Sequence, residues 1–138
     1  MTTQSLDRAL RQTLPTDWPG SLPEFLVFQE LRRQGKREGI DFTYQAPFMG
    51  GRLIRGGVVV DFLFIDPPDL AINVQGDFFH AGANPLRNDR IARAQLAGQG
   101  ITLIFIDESD ILRDVRRFVR AALRFQDLSR LGGVGNGD

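Results

Sequence analysis

The sequence has no cysteine among its 138 residues, so disulfides, thiolate zinc sites, iron–sulfur clusters and cysteine nucleophiles are excluded. It has one lysine, Lys36; the other sixteen of its 17 basic residues are arginine, and any step that needs an amine has a single candidate. It has one histidine, His80, the only side chain whose ordinary titration falls near neutral pH. Neither sign of charge is in excess: 17 acids balance 17 bases, so net charge does not announce a polyanionic partner, although it leaves clustering open. No apolar run reaches the roughly 18 residues that span a bilayer. The opening MTTQSLDRALRQ is polar and carries an acid, unlike a secretory signal. Together these absences lead to the expectation of a cytoplasmic protein with no membrane partner.

What is present suits one globular domain. Apolar residues make up 42% and charged residues 25%, near the globular average, and the length matches one domain rather than two. Residues 1–20 read as an N-terminal extension, with a short amphipathic stretch (Leu6, Leu10, Leu14) broken by Pro15, Pro19 and Gly20. The domain is expected over 21–131, and the glycine-rich 132–138 as a flexible tail.

Within the domain, Ser21-Leu22-Pro23-Glu24 has the makings of a helix start: a capping hydroxyl, an early proline and an acid in the first turn. Phe25, Phe28 and Leu31, with Leu26 nearby, keep helical spacing up to Gly35. Phe42–Phe48 reads as a strand, and Gly50-Gly51 with Gly56-Gly57 bracket a turn or loop. Val58–Ile65 and Leu70–Gln75 read as two strands joined by Asp66-Pro67-Pro68-Asp69, hence antiparallel neighbours covered on both faces. A helix over 87–98 ends near Gly98 or Gly100, Ile101–Ile106 is a buried strand, and a last helix runs over about 110–130. One right-handed crossover then makes a parallel pair. The expected fold is α/β: a three-layer α/β/α sandwich around a mixed, mostly antiparallel four-stranded sheet.

Several residues stand out chemically. Asp61 interrupts the apolar run 58–65, where a carboxylate must be paired, hydrogen-bonded or metal-bound, or must reach solvent or a cation such as Arg55. Asn73 and Gln75 share one face of their strand, which the hairpin can bring beside Asp61; a half-exposed strand gives the same pattern. His80 follows that strand and two phenylalanines, a place where an imidazole can act as a general base or serve the fold. Glu24 and Asp89 each lie near a helix start, where an acid also favours the dipole. Arg87, Arg90 and Arg93 recur at helical spacing, as phosphate contacts or as a solvated face. Taken together, Glu24, Asp61, His80 and Asp89 come from four elements, and carboxylates around a hard cation plus one imidazole suffice for metal-assisted phosphodiester hydrolysis.

From Ser21 to Leu112 the chain resembles the very-short-patch-repair-type endonucleases of the PD-(D/E)XK superfamily, and the related nucleases named for a Glu–Asp–x–His–Asp signature. The resemblance rests on Leu22-Pro23-Glu24, Thr43-Tyr44-Gln45-Ala46-Pro47 and Val60-Asp61-Phe62. It continues through Ile72-Asn73-Val74-Gln75-Gly76-Asp77-Phe78-Phe79-His80, and Arg87-Asn88-Asp89-Arg90 with Leu96, Gly100 and 101–105. It implies a restriction-endonuclease-like fold and a Mg²⁺- or Mn²⁺-dependent cut in DNA, on one strand or both. Asp61 would be the main metal ligand, the Val74 backbone carbonyl a second, His80 the general base, and Glu24 and Asp89 the rest of the site. The chain departs from the pattern at Asn73, where the superfamily has an acid, and at Gln75, where it has lysine or, in close relatives, aspartate. The zinc site of the repair enzymes is impossible without cysteine. The other expectation is therefore a nuclease fold that has lost catalysis and serves binding or assembly, in a phage or mobile-element complex for instance, with protein partners open.

Overall fold

The computed structural model describes residues 14–44, 53–54, 58–76 and 83–128, and of residues 53–54, 58–59 and 83–89 the backbone alone. The expected tail and most of the N-terminal extension lie outside these residues.

Helix α1, Leu22–Arg33, begins as its sequence predicts. Ser21 is the cap, the Glu24 N–H donates to its Oγ at 3.3 Å, and Pro23 occupies the first turn. The helix stops at Gly35, whose φ of 92° lies in the left-handed region that favours glycine, while the Lys36 N–H returns to the Leu31 carbonyl. The buried stripe is Leu22, Val27, Glu30 and Leu31, so the face sits a step away from the expected phenylalanines. Phe28, partly buried, packs against the core beside this stripe and against Phe42. With Phe25 it also meets Trp18 edge-on, and the Trp18 ring stacks on Tyr44 at 4.7 Å. This stretch before Ser21 thus contributes the lone tryptophan to the packing of the domain.

The main sheet has four strands: β1 (Phe42–Tyr44), β4 (Phe62–Phe64), β5 (Leu70–Gln75) and β6 (Thr102–Asp107), in the order β1-β4-β5-β6. The pairs β1/β4 and β4/β5 are antiparallel and β5/β6 is parallel, which is the mixed, mostly antiparallel α/β sheet expected. A separate two-stranded sheet pairs β2 (Leu53–Ile54) with β3 (Val58–Val59). The continuous strand predicted over 58–65 is therefore two strands, broken at Val60 and Asp61. Helix α2, Ala83–Ala97, makes the crossover from β5 to β6, starting four residues before the expected 87. Gly100, at φ 81°, turns the chain into β6. Helix α3, Glu108–Leu123, ends short of the expected 130 and is bent at Asp114, whose φ −162° and ψ 68° are not helical.

Alternate residues of the sheet feed two cores. Phe62, Phe64, Leu70, Ile72, Ile104 and Ile106 pack with Val27 and Leu31 of α1 and Phe118 and Val119 of α3. Ala71, Leu103 and Phe105 pack with Val60 and with Leu96 and Ala92 of α2. Both faces are thus apolar, which explains the near-continuous apolar runs of β5 and β6. Among the described residues no helix is long and apolar enough to cross a membrane.

Candidate functional site

The break in the strand at Asp61 is made by side chains. The ladder between β4 and β5 ends at Phe62↔Ile72. One step further, the Asp61 N–H donates to Asn73 Oδ1 at 2.8 Å, and the Val74 N–H donates to Asp61 Oδ2 at 2.9 Å. The two side chains replace the backbone bonds that an unbroken ladder would have made and hold the hairpin open. Alternation fails at the same place. Val60 packs with Ala71 and Leu63 in the α2-side core, whereas a regular strand would put it with Phe62. Asp61 is therefore a fork: behind it β3 departs to pair with β2, and ahead of it β4 runs into the main sheet.

A row of polar groups crosses the sheet at this end. Val74 packs with the α1/α3 core, so Asn73 and Gln75 belong to the opposite, α2-side face. Gln75 is level with Asp107 on β6, and the two are 7% and 4% exposed. The row Asp61, Asn73, Gln75, Asp107 thus spans three strands at the carboxyl ends of the parallel pair, where open α/β sheets bind ligands. Asp107 is not among the candidate residues that the sequence suggests. It precedes α3, but its side chain does not cap the helix, and its burial beside Gln75 is the new fact. Burying a carboxylate there is unfavourable without a polar setting, and Gln75 holds the matching register position on the neighbouring strand.

The other sequence candidates fall in different places. Glu24 is half-buried, and both its carboxylate oxygens are engaged: Oε2 accepts from Ser21 Oγ at 3.0 Å, and Oε1 accepts from the Tyr44 hydroxyl. Tyr44 stands opposite Phe62, next to Asp61 in sequence, so Glu24 reaches the neighbourhood of the fork through β1, from the α1 side of the sheet. The approach is tight, because a methyl group at Gly20 would overlap the Tyr44 hydroxyl. Arg93 faces inward. Its guanidinium pairs with Asp127 at 2.6 Å and lies 5.1 Å over the Phe105 ring, and the same Asp127 oxygen accepts the Phe105 N–H at 3.2 Å. Asp127 is 5% exposed and closes part of the outer edge of β6. Arg90 is exposed on α2. His80 lies outside the described residues, in the link between β5 and α2, and the side chains of Arg87 and Asp89 also lie outside them.

The donor set at the fork can be set against the demands of a hard divalent cation. Mg²⁺ is commonly held by one or two carboxylates and keeps water for its remaining positions. Asp61 offers a carboxylate. In an extended strand a residue's N–H and carbonyl leave on the same side, so the Val74 carbonyl leaves β5 on the side from which its N–H reaches Asp61. A carboxylate and a carbonyl are donors of the type such an ion takes. Among the described residues no group of three or more histidines and acids gathers into a metal cluster.

Compared with known proteins, the sequence matches no protein-family model, and neither a curated protein nor a solved structure gives a significant match.

Proposed function

We propose that the chain is a metal-dependent DNA endonuclease whose reaction centre lies at the fork between β4 and β5. The observation that carries this reading is the Asp61 carboxylate, fixed by the Val74 N–H at the open end of the hairpin. The order of elements supports it as well: a helix, a three-strand antiparallel meander, a crossover helix and a parallel strand. That is the arrangement expected of a restriction-endonuclease-like sandwich, and a cytoplasmic place goes with it.

In this reading Asp61 and the Val74 carbonyl hold Mg²⁺ or Mn²⁺, which when bound polarises the phosphate and neutralises charge on the leaving oxygen. His80 takes a proton from the attacking water, the task an imidazole performs near neutral pH. Asp89 completes the polar site, and Arg87 and Arg90 hold neighbouring phosphates. Glu24 is a positioning residue that ties α1 to β1 beside the fork. Arg93 serves the β6 edge through Asp127 instead of DNA.

A second reading, a nuclease fold turned to binding or assembly, is favoured by one observation. Asn73 stands where the superfamily has an acid, and its Oδ1 is engaged by the Asp61 N–H. Incubation of the purified chain with supercoiled DNA and Mg²⁺ or Mn²⁺ separates the two. The endonuclease reading expects nicked or linear product, with a loss of about 10²–10⁴-fold in His80→Ala and loss of cleavage in Asp61→Asn. A wild-type chain as inert as both variants with either metal would replace it with the second reading.

A further inference from the structure

We propose that the arginine-lined groove between α1 and the bent second half of α3 is a binding surface for the phosphates of duplex nucleic acid, separate from the fork at Asp61. The overall charge of zero conceals a segregation. The end of α1 and the turn after it carry Arg32, Arg33, Lys36 and Arg37. Beyond Asp114, α3 and its end carry Arg116, Arg117, Arg120 and Arg124, with no acid before Asp127. Over eighty residues apart in sequence, the two runs are joined by Gln34, whose Nε2 donates to the Arg116 carbonyl at 3.3 Å and to Glu30 Oε2 at 2.8 Å.

Between them lies a groove of about 710 Å³ lined by Glu30, Arg33, Gln34, Asp114, Val115, Arg116 and Arg120. Its acids already have partners. Glu30, 2% exposed, holds Arg33 at 2.8 Å and Gln34, and Asp114 accepts the Arg117 N–H at 3.2 Å. Arg116 and Arg120 are exposed and form no salt bridge among the described residues, in contrast to Arg33, Arg37, Arg93 and Arg113. Four residues apart on one helix, they present their guanidinium groups on the same side.

Of the acids of α3, Glu108 and Asp110 lie before the bend, and Asp114, at the bend, lines the groove. Guanidinium is planar and presents paired donors that fit two phosphate oxygens. The exposed side chains of α3 from Arg113 to Arg120 are all charged, and Phe118 is buried beneath Arg113 and Arg117. Val115, half-buried, is the one apolar side chain of the lining, so the groove offers no aromatic or fully exposed aliphatic anchor of the kind on which protein partners usually depend. Phosphate binding here requires neither Asp61 nor a metal, so the inference stands apart from the proposed cleavage.

The test is binding of a short fluorescent DNA duplex to the full chain in EDTA, by anisotropy across a salt series, with polyglutamate as competitor. Wild type should bind. The double variant Arg116→Gln/Arg120→Gln should bind about tenfold more weakly, and the slope of log affinity against log salt should fall by about 2. Arg116→Lys/Arg120→Lys should keep most of the slope. No duplex binding by wild type, or unchanged affinity and slope in the glutamine variant, would overturn the proposal. Displacement of duplex by polyglutamate at equal charge would overturn it in favour of an acidic protein partner.

Discussion

Leu70–Ile72 and Asn73–Gln75 are two halves of one strand, and only the first is paired through its backbone on both sides. The first half is apolar and buried, with β4 on one flank and β6 on the other. The second half keeps β6, but toward β4 its bonds pass through the side chains of Asp61 and Asn73. The comparison teaches how a small sheet makes a site. Opening a ladder leaves backbone groups that must find other partners, and short polar side chains supply them. What remains at the opened end is a set of fixed oxygens and amides beside a rigid apolar wall. The rigid half positions the polar half.

Substitutions in each half should separate their roles. The largest effect is expected from Phe62→Ala, since Phe62 is fully buried and packs against Phe42 and Tyr44 from the last regular rung. It should cost about 3–5 kcal/mol, read from the denaturant midpoint by fluorescence of Trp18. A loss below about 1 kcal/mol would remove the rigid wall from the account. Asp61→Ala leaves the Val74 N–H without its partner and should cost about 1–3 kcal/mol. Asp61→Asn keeps an acceptor and should restore most of that stability without restoring cleavage. Equal destabilisation by both variants would mean that the charge, and not the hydrogen bond, holds the fork. The smallest effect is expected from Asn73→Asp, which sets a second carboxylate opposite Asp61 and should cost under about 1 kcal/mol, as like charges across a sheet do. Mg²⁺ should raise the Tm of this variant more than that of wild type; no added response would argue against a cation site at the fork.

Much of this was legible in the sequence. Ser21 and Glu24 announced α1, the two prolines between two apolar runs announced the β4–β5 turn, and Gly100 marked the passage into β6. The sheet follows from these, because short connections and one crossover leave few arrangements. The residues that deviate from local rules were harder to read. Asp61 was visible as an acid in an apolar run, but its effect on the ladder depends on Asn73, twelve residues away and brought opposite by pairing. Arg93 shared the spacing of a phosphate-binding face; its partner Asp127 lies 34 residues later, past the end of α3. Asp107 was not singled out in the sequence; its place level with Gln75 comes from the pairing of β5 with β6. The bend at Asp114 has no glycine or proline to mark it. His80 and the side chains of Arg87 and Asp89, central to the reading of the sequence, lie outside the described residues.

By itself the sequence determined the helices and the four strands of the main sheet in their order, though not the β2–β3 ribbon, together with the absence of cysteine chemistry and the identity of the few polar residues set among apolar ones. Periodicity, caps and turn residues act over a handful of neighbours, and that range suffices for such features. Tertiary structure decided which polar groups meet: Asp61 with Asn73 and Val74, Gln75 with Asp107, Arg93 with Asp127, and the two basic runs across one groove. Those meetings depend on strand register and helix packing, which set residues far apart in the chain side by side and leave no trace in local spacing.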